Sequence, residues 1–405
     1  MMQYDLLIIG GGAAGFFTAI NVAENDPSLK IAILERGKEV LSKVRISGGG
    51  RCNVTHAEFI PNALSKNYPR GEKELIGPFH TFMTGDTMEW FESRGISLKI
   101  EDDGRIFPVS DSSQTIIDCF LSETKRLGIQ VLTNHAVKDF YQQNENWKVV
   151  TSQGDFETEK LMIATGSNPK IWSKLQALDH HTIDAVPSLF TFNIKDTRIK
   201  GLAGVATNAS VQVKDSKLFS DGPLLITHWG VSGPAILKLS AWGAIELNSY
   251  EYNFEVIVNW LQDYSQEEAI DMLKVLKDKN PKQQVFKYAQ FELPKRLWQS
   301  LVIASGIENT TRWADTNKSQ LNKLSEQLIR CVFKVNGKST FKEEFVTAGG
   351  IDLKEINFKN FESKKHKNLY FAGEVLNIDA ITGGFNFQNA WTGGYIAAQA
   401  ITSKK

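Results

Sequence analysis

An α/β fold, a mostly parallel sheet interrupted by a β-rich and helical insert, is what the 405-residue sequence predicts. Three observations predict it. An apolar run, a glycine cluster and a helix-like segment follow one another near residue 10, and a similar strand, glycine and helix pattern recurs after residue 368. Between them, from about residue 190, the apolar residues alternate as in antiparallel strands, and from Ser265 they take helical spacing. Apolar residues make up 42% and charged residues 23%, as in globular proteins, and the length suits two or three domains.

The first element is "YDLLII" at 4–9, a run short enough for a buried parallel strand. Gly10, Gly12 and Gly15 follow as G-x-G-x-x-G and open the helix "AAGFFTAINVAEN", which Asp26-Pro27 stops. The next strand, "KIAILE", ends at Glu35, 20 residues beyond Gly15. Strand, glycines, helix and acid together form a dinucleotide fingerprint. The glycines admit a pyrophosphate, the helix start offers free N–H groups, and the acid accepts from ribose hydroxyls. A bare strand–helix turn would leave the acid unexplained.

The fingerprint alone does not separate NAD from FAD. It occurs once, at the start of the chain. "KLMIATGS" (160–167) reads as a strand ending in Ala164-Thr165-Gly166, preceded by a meander with turns at 144–146 and 153–154. "NLYFAGEVLNIDAITGGFNFQNAW" reads as a strand, Gly373-Glu374, a loop, Gly383-Gly384 and a helix. These three features favour a Rossmann-type, two-dinucleotide-fold FAD-binding domain. In that layout a helix start stabilises the anion formed when a flavin is reduced.

"ISGGGRCNVT" (46–55) then falls where the chain passes beneath the flavin ring, with glycines removing side chains from the ring face. Arg51 and Asn53 are donors to the pyrophosphate or flavin carbonyls. Cys52 is either a chemical thiol or a packing residue. Packing is the preferred reading, because no second cysteine stands near it.

In the insert, "LFTFNIKD", "VATNASVQVKDSKLF" and "NFEVIVNWL" read as strands. "SQEEAIDMLKVLKDK" reads as a helix with a Ser265/Glu268 capping box, and "LPKRLWQSLVIASG" and "SQLNKLSEQLIRCVF" as two more. "VFKVNGKSTFKEEF" reads as a hairpin about Asn336-Gly337. The expected domains are residues 1–189 with 346–405 (FAD-binding), 190–262 with 331–345 (β-rich), and 263–330 (helical).

Ser232 in "HWGVSGP" invites a nucleophile-elbow reading, but Pro234 replaces the second glycine and no hydrolase-type strand–turn–helix is expected there. His228 is either a substrate-pocket acid or a structural histidine. The remaining histidines lack metal-ligand spacing, and Cys52, Cys119 and Cys331 form no C-x-x-C, so no metal is expected. "SKKHK" (363–367) is a solvated turn or an RNA phosphate contact. The 46 basic and 46 acidic residues balance, which disfavours a general nucleic-acid or membrane surface. The N-terminal apolar run is too short for a signal peptide, and a cytoplasmic protein is expected.

These motifs carry a resemblance to a family. "GGGAAG" with Glu35, "KVRISGGGRCNVT", "DGRIFPVSDSSQTIIDCF", "PLLITHWGVSGPAIL", "FVTAGGIDLKEIN" and "LYFAGEVLNIDAITGGFNFQNAW" together resemble the HI0933-like (YhiN-like, BaiN-like) flavoproteins almost end to end. The resemblance implies non-covalent FAD and an oxidoreductase. Asn377 and Ala380 depart from the Asp and Gly of many members, with Asp379 left to supply the carboxylate.

The residues expected to contact the cofactor are Gly10, Gly12, Ala13, Ala14, Gly15, Glu35, Arg36, Lys43, Ser47, Gly48, Gly49, Gly50, Arg51, Cys52, Asn53, Val137, Thr165 and Gly166. Gly373, Glu374, Asp379, Gly384, Phe385 and Asn386 complete the set. Cys52 and His228 are the candidate catalytic groups. The expected activity is a reductase passing hydride from NAD(P)H or another donor through the flavin to a C=C or C=N bond. Family analogies imply several substrates: a small-molecule enone, which the neutral charge favours, a uridine of ribosomal RNA reduced to dihydrouridine, or an amino-ketone oxidised with oxygen. A non-catalytic redox sensor is the competing class.

Overall fold

The computed structural model describes residues 2–262, 264–339 and 346–403. The chain folds as two compact units, Met1–Val186 with Lys342–Lys405, and Pro187–Phe341.

The first unit is built on a sheet whose central strand is Met2–Ile9. Ile31–Leu34 lies parallel on one side and Asp155–Ile163 parallel on the other. Gln130–Leu132 extends the first side, and Leu369–Phe371 pairs parallel with Leu161–Ile163 on the second. Leu6, Leu7 and Ile8 are fully buried, as expected of a strand covered on both faces. The expected meander is present as Val137–Gln143, Asn146–Thr151 and Asp155–Ile163, antiparallel, with its turns where the sequence places them.

The register pairs Ile9 with both Leu34 and Ile163, and Ile163 with Phe371. Four parallel strands therefore end at one edge of the sheet. The helix Ala13–Asn25 leaves from that edge, and the helix Phe385–Thr402 packs along it. Small residues allow close approach: a Cβ on Gly394 would lie 2.9 Å from Thr18 Oγ1.

The second unit contains a closed six-stranded barrel in the order Thr191–Ile194, Gly230–Ser232, Phe219–Ile226, Ala206–Val213, Asn253–Asn259, Cys331–Ser339. Its interior is filled by Phe192, Val211, Ile226, Val256 and Phe333, all buried, so the barrel is a core and not a channel. The helix Gln266–Lys279 starts at Ser265 with the expected capping box: Ser265 Oγ accepts from Glu268 N–H at 3.2 Å, and the Glu268 carboxylate accepts from Ser265 N–H at 2.8 Å. Lys295–Ala304 and Lys318–Ile329 are the other expected helices.

Two readings need correction. Asn336-Gly337 is not a hairpin turn. It lies inside one continuous strand, Cys331–Ser339, where Asn336 pairs with Asn253, and residues 340–345 of the expected hairpin fall outside the described residues. The third helix also stops at Ile329, so Cys331–Phe333 belongs to the barrel.

Candidate functional site

The three glycines of the fingerprint have different physical roles. A Cβ on Gly10 would lie 2.3 Å from the Ala164 carbonyl oxygen, and one on Gly15 would lie 2.1 Å from that of Gly10. Those two positions allow the first strand, the A-T-G strand and the helix to touch. A Cβ on Gly12 meets nothing within 4 Å. Gly12 caps the helix Ala13–Asn25 with no side-chain hydrogen bond and no acid in the first turn, so no protein side chain caps the N–H groups at the helix start. Ala13 and Ala14 follow as small residues. Glu35 stands just beyond the second strand, where its carboxylate accepts from Gly11 N–H at 3.0 Å and Gly37 N–H at 2.8 Å. Further lone pairs remain for hydroxyl donors. Arg36 beside it is exposed.

At the same edge, Thr165 and Gly166 follow the A-T-G strand. Glu374 follows Gly373 and forms an ion pair with Lys43. A Cβ on Gly166 would lie 3.7 Å from Glu374 Oε2, which brings the two motif ends together. Val137 opens the meander and pairs with Thr151.

The glycine-rich stretch begins as a helical turn from Ser42 and then leaves helical geometry. Gly48, Gly49 and Gly50 have φ of 58°, 68° and 86°. Left-handed backbone of this kind favours glycine. The turn is held by Ser47, whose Oγ donates to Val44 O at 3.0 Å and whose carbonyl accepts from Cys52 N–H at 3.0 Å. A Cβ on Gly48 would strike the Phe107 ring at 2.8 Å, whereas Gly49 and Gly50 face open space.

Beyond the glycines, Arg51 turns to the protein itself. Its guanidinium pairs with Glu101 at 2.6 Å and Asp111 at 3.3 Å and lies 3.9 Å from the centroid of the Phe107 ring. Cys52 is fully buried, and burial pushes its thiol up to about 12. It is therefore a neutral thiol near pH 7, with little nucleophilic character. Asn53 is 8% exposed and lies between the two glycine motifs: a Cβ on Gly48 would lie 3.0 Å from its N, and one on Gly384 would lie 2.8 Å from its Oδ1. That Oδ1 has no hydrogen-bond partner among the described residues. A buried acceptor left open at the meeting point of two glycine turns calls for a donor from a ligand.

The C-terminal element completes the edge. Gly384, at φ 94°, caps the helix Phe385–Thr402, again with no side-chain cap and no acid in the first turn. Phe385 is buried, and Asn386 Oδ1 accepts from Ala380 N–H at 3.0 Å, closing the loop before the helix. Asp379 is buried and paired with Arg70 through both carboxylate oxygens, so its carboxylate is engaged by the protein.

Sequence reasoning missed Arg70 and also His56, whose Nδ1 lies 3.1 Å from Gly383 O. It also missed Thr55 and Thr87, which both donate to Gln388 Oε1 on the C-terminal helix, at 2.6 and 2.9 Å. No local signal marks these residues, because each partner is about 300 residues or more away in the chain.

His228 belongs to the second unit, exposed in the turn between Phe219–Ile226 and Gly230–Ser232. Ser232 sits in a strand–turn–helix, with Gly233 leading into the helix Pro234–Trp242, but not in one of hydrolase type. Its strand is an antiparallel barrel strand, not the parallel strand of a nucleophile elbow. The "SKKHK" stretch is a bend whose three lysines are exposed, with several of its side chains bonded to the protein's own groups. Lys364 Nζ donates to Lys354 O at 2.7 Å, His366 Nε2 lies 2.8 Å from Leu178 O, and Lys365 Nζ pairs with Glu355 at 2.7 Å. No cluster able to hold a metal occurs among the described residues, and no helix among them is long and apolar enough to cross a membrane.

Two mutations separate the roles in the glycine-rich stretch. Cys52→Ala is expected to keep flavin and at least a tenth of the activity, a barrier change under about 1.4 kcal/mol, measured by steady-state turnover at equal flavin content. Gly49→Val is expected to weaken flavin binding tenfold or more. The left-handed backbone strains a β-branched residue by about 1–3 kcal/mol. That strain is borne by apo and holo protein alike, but beyond its chain neighbours no protein atom lies within 4 Å of the new Cβ, so the apoprotein is weakened without a clash and the loss of affinity comes from the side chain entering the ligand space. Flavin titration and apoprotein melting distinguish a ligand contact from a folding defect.

Known proteins show the same architecture. The chain is 29% identical over 99% of its length, and 100% of the relative's, to a ribosomal RNA dihydrouridine synthase of Haemophilus influenzae. It is 26% identical over 98% of each chain to a 3-dehydro-bile acid delta(4,6)-reductase of Clostridium scindens. Its fold superposes on 3-ketosteroid-delta4-(5alpha)-dehydrogenase from Rhodococcus jostii with a TM-score of 0.53 and 11% identity, covering 100% of this chain and 97% of the other. The model of the HI0933-like protein Rossmann domain matches residues 4–400, and the chain belongs to this family of FAD-dependent oxidoreductases.

Proposed function

We propose that the protein is a reductase working in the cytoplasm, using FAD and a reduced nicotinamide or another donor to saturate an activated C=C or C=N bond. One observation carries the flavin assignment. Open Gly12, open Gly49 and Gly50, an uncapped helix start at Gly384 and the unpartnered Asn53 Oδ1 all belong to motifs gathered about one sheet edge. When bound, FAD supplies the two-electron chemistry by which hydride moves from donor to substrate.

The chain's own residues seat and polarise it. The start of the helix Ala13–Asn25 takes the pyrophosphate, and Glu35 takes the ribose hydroxyls. The backbone at Gly49 and Gly50 leaves a ring face free of side chains. The start of the helix Phe385–Thr402 stabilises negative charge at the pyrimidine end, and Asn53 Oδ1 accepts from a ring N–H. With Cys52 neutral and buried, no protein thiol relay is needed.

The substrate reading draws on the relatives. A uracil ring and a bile-acid dienone share a ring C=C conjugated to a carbonyl, and the two full-length relatives named above act on one of these each by their names. The Haemophilus name favours ribosomal RNA as the first substrate to examine; a steroid-like enone is the second.

The deciding experiment reduces the purified yellow protein anaerobically with NADH and with NADPH, then offers an enone and ribosomal RNA from a strain lacking the gene. Saturated product from either supports the reading. Rapid reoxidation by air with stoichiometric peroxide, and no saturated product, makes the protein an oxidase. No turnover with any acceptor makes it a redox sensor. Independently, Glu35→Ala is expected to weaken FAD binding by about 1.5–3 kcal/mol, the range for hydrogen bonds to a charged group, read by titrating apoprotein with FAD. Unchanged affinity would remove Glu35 from the ribose site.

A further inference from the structure

His56 is built into the site more tightly than its position in the sequence suggests. It ends the two-residue strand Thr55–His56, which pairs with Arg105–Pro108. Its ring packs tilted against Phe385, with centroids 4.5 Å apart and planes at 31°. Two glycines at positive φ make room for it. A Cβ on Gly104 (φ +82°) would lie 2.7 Å from Nε2, and one on Gly383 (φ +134°) would lie 3.2 Å from Nδ1. A side chain at Gly104 would force the ring to shift, and one at Gly383 would crowd it and strike the Phe385 ring at 2.7 Å.

The hydrogen bond defines the direction of a peptide. Gly383 O is an acceptor only, so the Nδ1 that lies 3.1 Å from it carries the proton. This holds for the neutral and the protonated ring alike. In a trans peptide the carbonyl and N–H point to opposite sides. With Gly383 O held against His56, Gly384 N–H points away from the ring. A Gly-Gly peptide is the kind of linkage that turns over easily, because both residues tolerate either sign of φ. Turned over, it would direct a carbonyl dipole to the side now faced by an N–H, immediately before the helix Phe385–Thr402. That dipole would oppose the positive potential of the helix start.

We infer that His56 is a positioning residue for the flavin site: its Nδ1–H fixes the Gly383–Gly384 peptide so that an N–H, and not a carbonyl, joins the helix N-terminus facing the pyrimidine end of the cofactor. The inference rests on the FAD reading above. Burial holds the His56 ring below the ordinary histidine value, while the Gly383 carbonyl, Asp103 and Glu58 pull the other way and Arg105 adds to the lowering. The clamp does not depend on that balance, since Nδ1 donates in both states.

The test titrates apoprotein with FAD and measures the flavin midpoint potential for the wild type, His56→Asn, His56→Phe and His56→Ala. The asparagine amide N–H reaches about as far as Nδ1 and restores the donor. The phenylalanine keeps the ring packing without the donor. His56→Asn is expected to bind FAD within about threefold of wild type at a similar potential. His56→Phe is expected to bind about tenfold or more weakly, with the reduced flavin less stabilised and the potential lower. His56→Ala gives the same comparison should the phenylalanine variant not fold. Equal affinity and potential in His56→Phe or His56→Ala and wild type would overturn the inference. So would a His56→Asn variant no better than the variants that lack the donor. A wild-type apoprotein that takes up no FAD would instead overturn the FAD reading, and this inference with it.

Discussion

Asp379→Ala is expected to lower folding stability by about 3–5 kcal/mol, measured by denaturant unfolding of the apoprotein. The side chains of Asp379 and Arg70 are 1% and 10% exposed, and both carboxylate oxygens meet the guanidinium. Removing the acid leaves a cation in low dielectric without its anion. That costs more than the pair contributed, so removing Arg70 as well is expected to restore part of the loss. The pair also fixes geometry, since residues 70 and 379 form a backbone bridge between two distant segments. The sequence suggested Asp379 as a carboxylate facing the cofactor. A mutant that loses FAD while the apoprotein keeps its stability would favour that role over the structural one.

Trp391→Ala is expected to cost about 3–5 kcal/mol by the same measurement. The indole is fully buried, 5.1 Å from the Phe17 ring, 5.7 Å from Phe120 and stacked on Phe387 at 5.5 Å between centroids. Its Nε1–H donates to Val54 O at 2.9 Å. The large side chain leaves a cavity that its aromatic neighbours cannot close. Trp391→Phe refills much of that volume but strands the Val54 carbonyl, for an expected loss of about 1–3 kcal/mol. A smaller loss in Trp391→Ala than in Trp391→Phe would contradict the packing argument. Val54 follows Asn53 directly, so flavin retention should fall with stability in both variants.

The parts of the fold legible in the sequence were those with local causes. Glycine spacing, an acid after the second strand, and apolar runs bounded by turns located the sheet edge. Ser265 and Glu268 located a helix start through a contact three residues long. Asn336-Gly337 misled because the dipeptide's turn preference is local, while barrel pairing with Asn253 and its neighbours is not, and the longer ladder prevails. The strand Phe219–Ile226 escaped because Gly222-Pro223 reads as a breaker, yet it is paired on both sides in the barrel. At the site, glycines betrayed the cradle, but its fastenings were invisible. His56 and Gly383 are 327 residues apart, and Arg70 and Asp379 are 309 apart, distances over which no sequence period operates. Arg51 illustrates the converse. A basic residue beside a glycine run invites a phosphate, and only the fold shows Glu101 and Asp111 already in its reach.

The pairing of Leu369–Phe371 with Leu161–Ile163 also has a consequence for biosynthesis. While the ribosome makes the intervening segment, Leu161–Ile163 has no strand to cover its outer side. About 200 residues at roughly 5–20 residues per second give a delay of roughly 10–40 s. Throughout that interval the nascent chain presents three apolar residues with unpaired backbone groups, a template for the wrong strand. The proposed flavin site would also lack Gly383, Gly384 and the helix that follows them until the end of this period. If the proposed site holds the cofactor, its capture would be a late event in the life of the new chain, and a pause in translation within the barrel unit would lengthen the exposure without altering the finished fold.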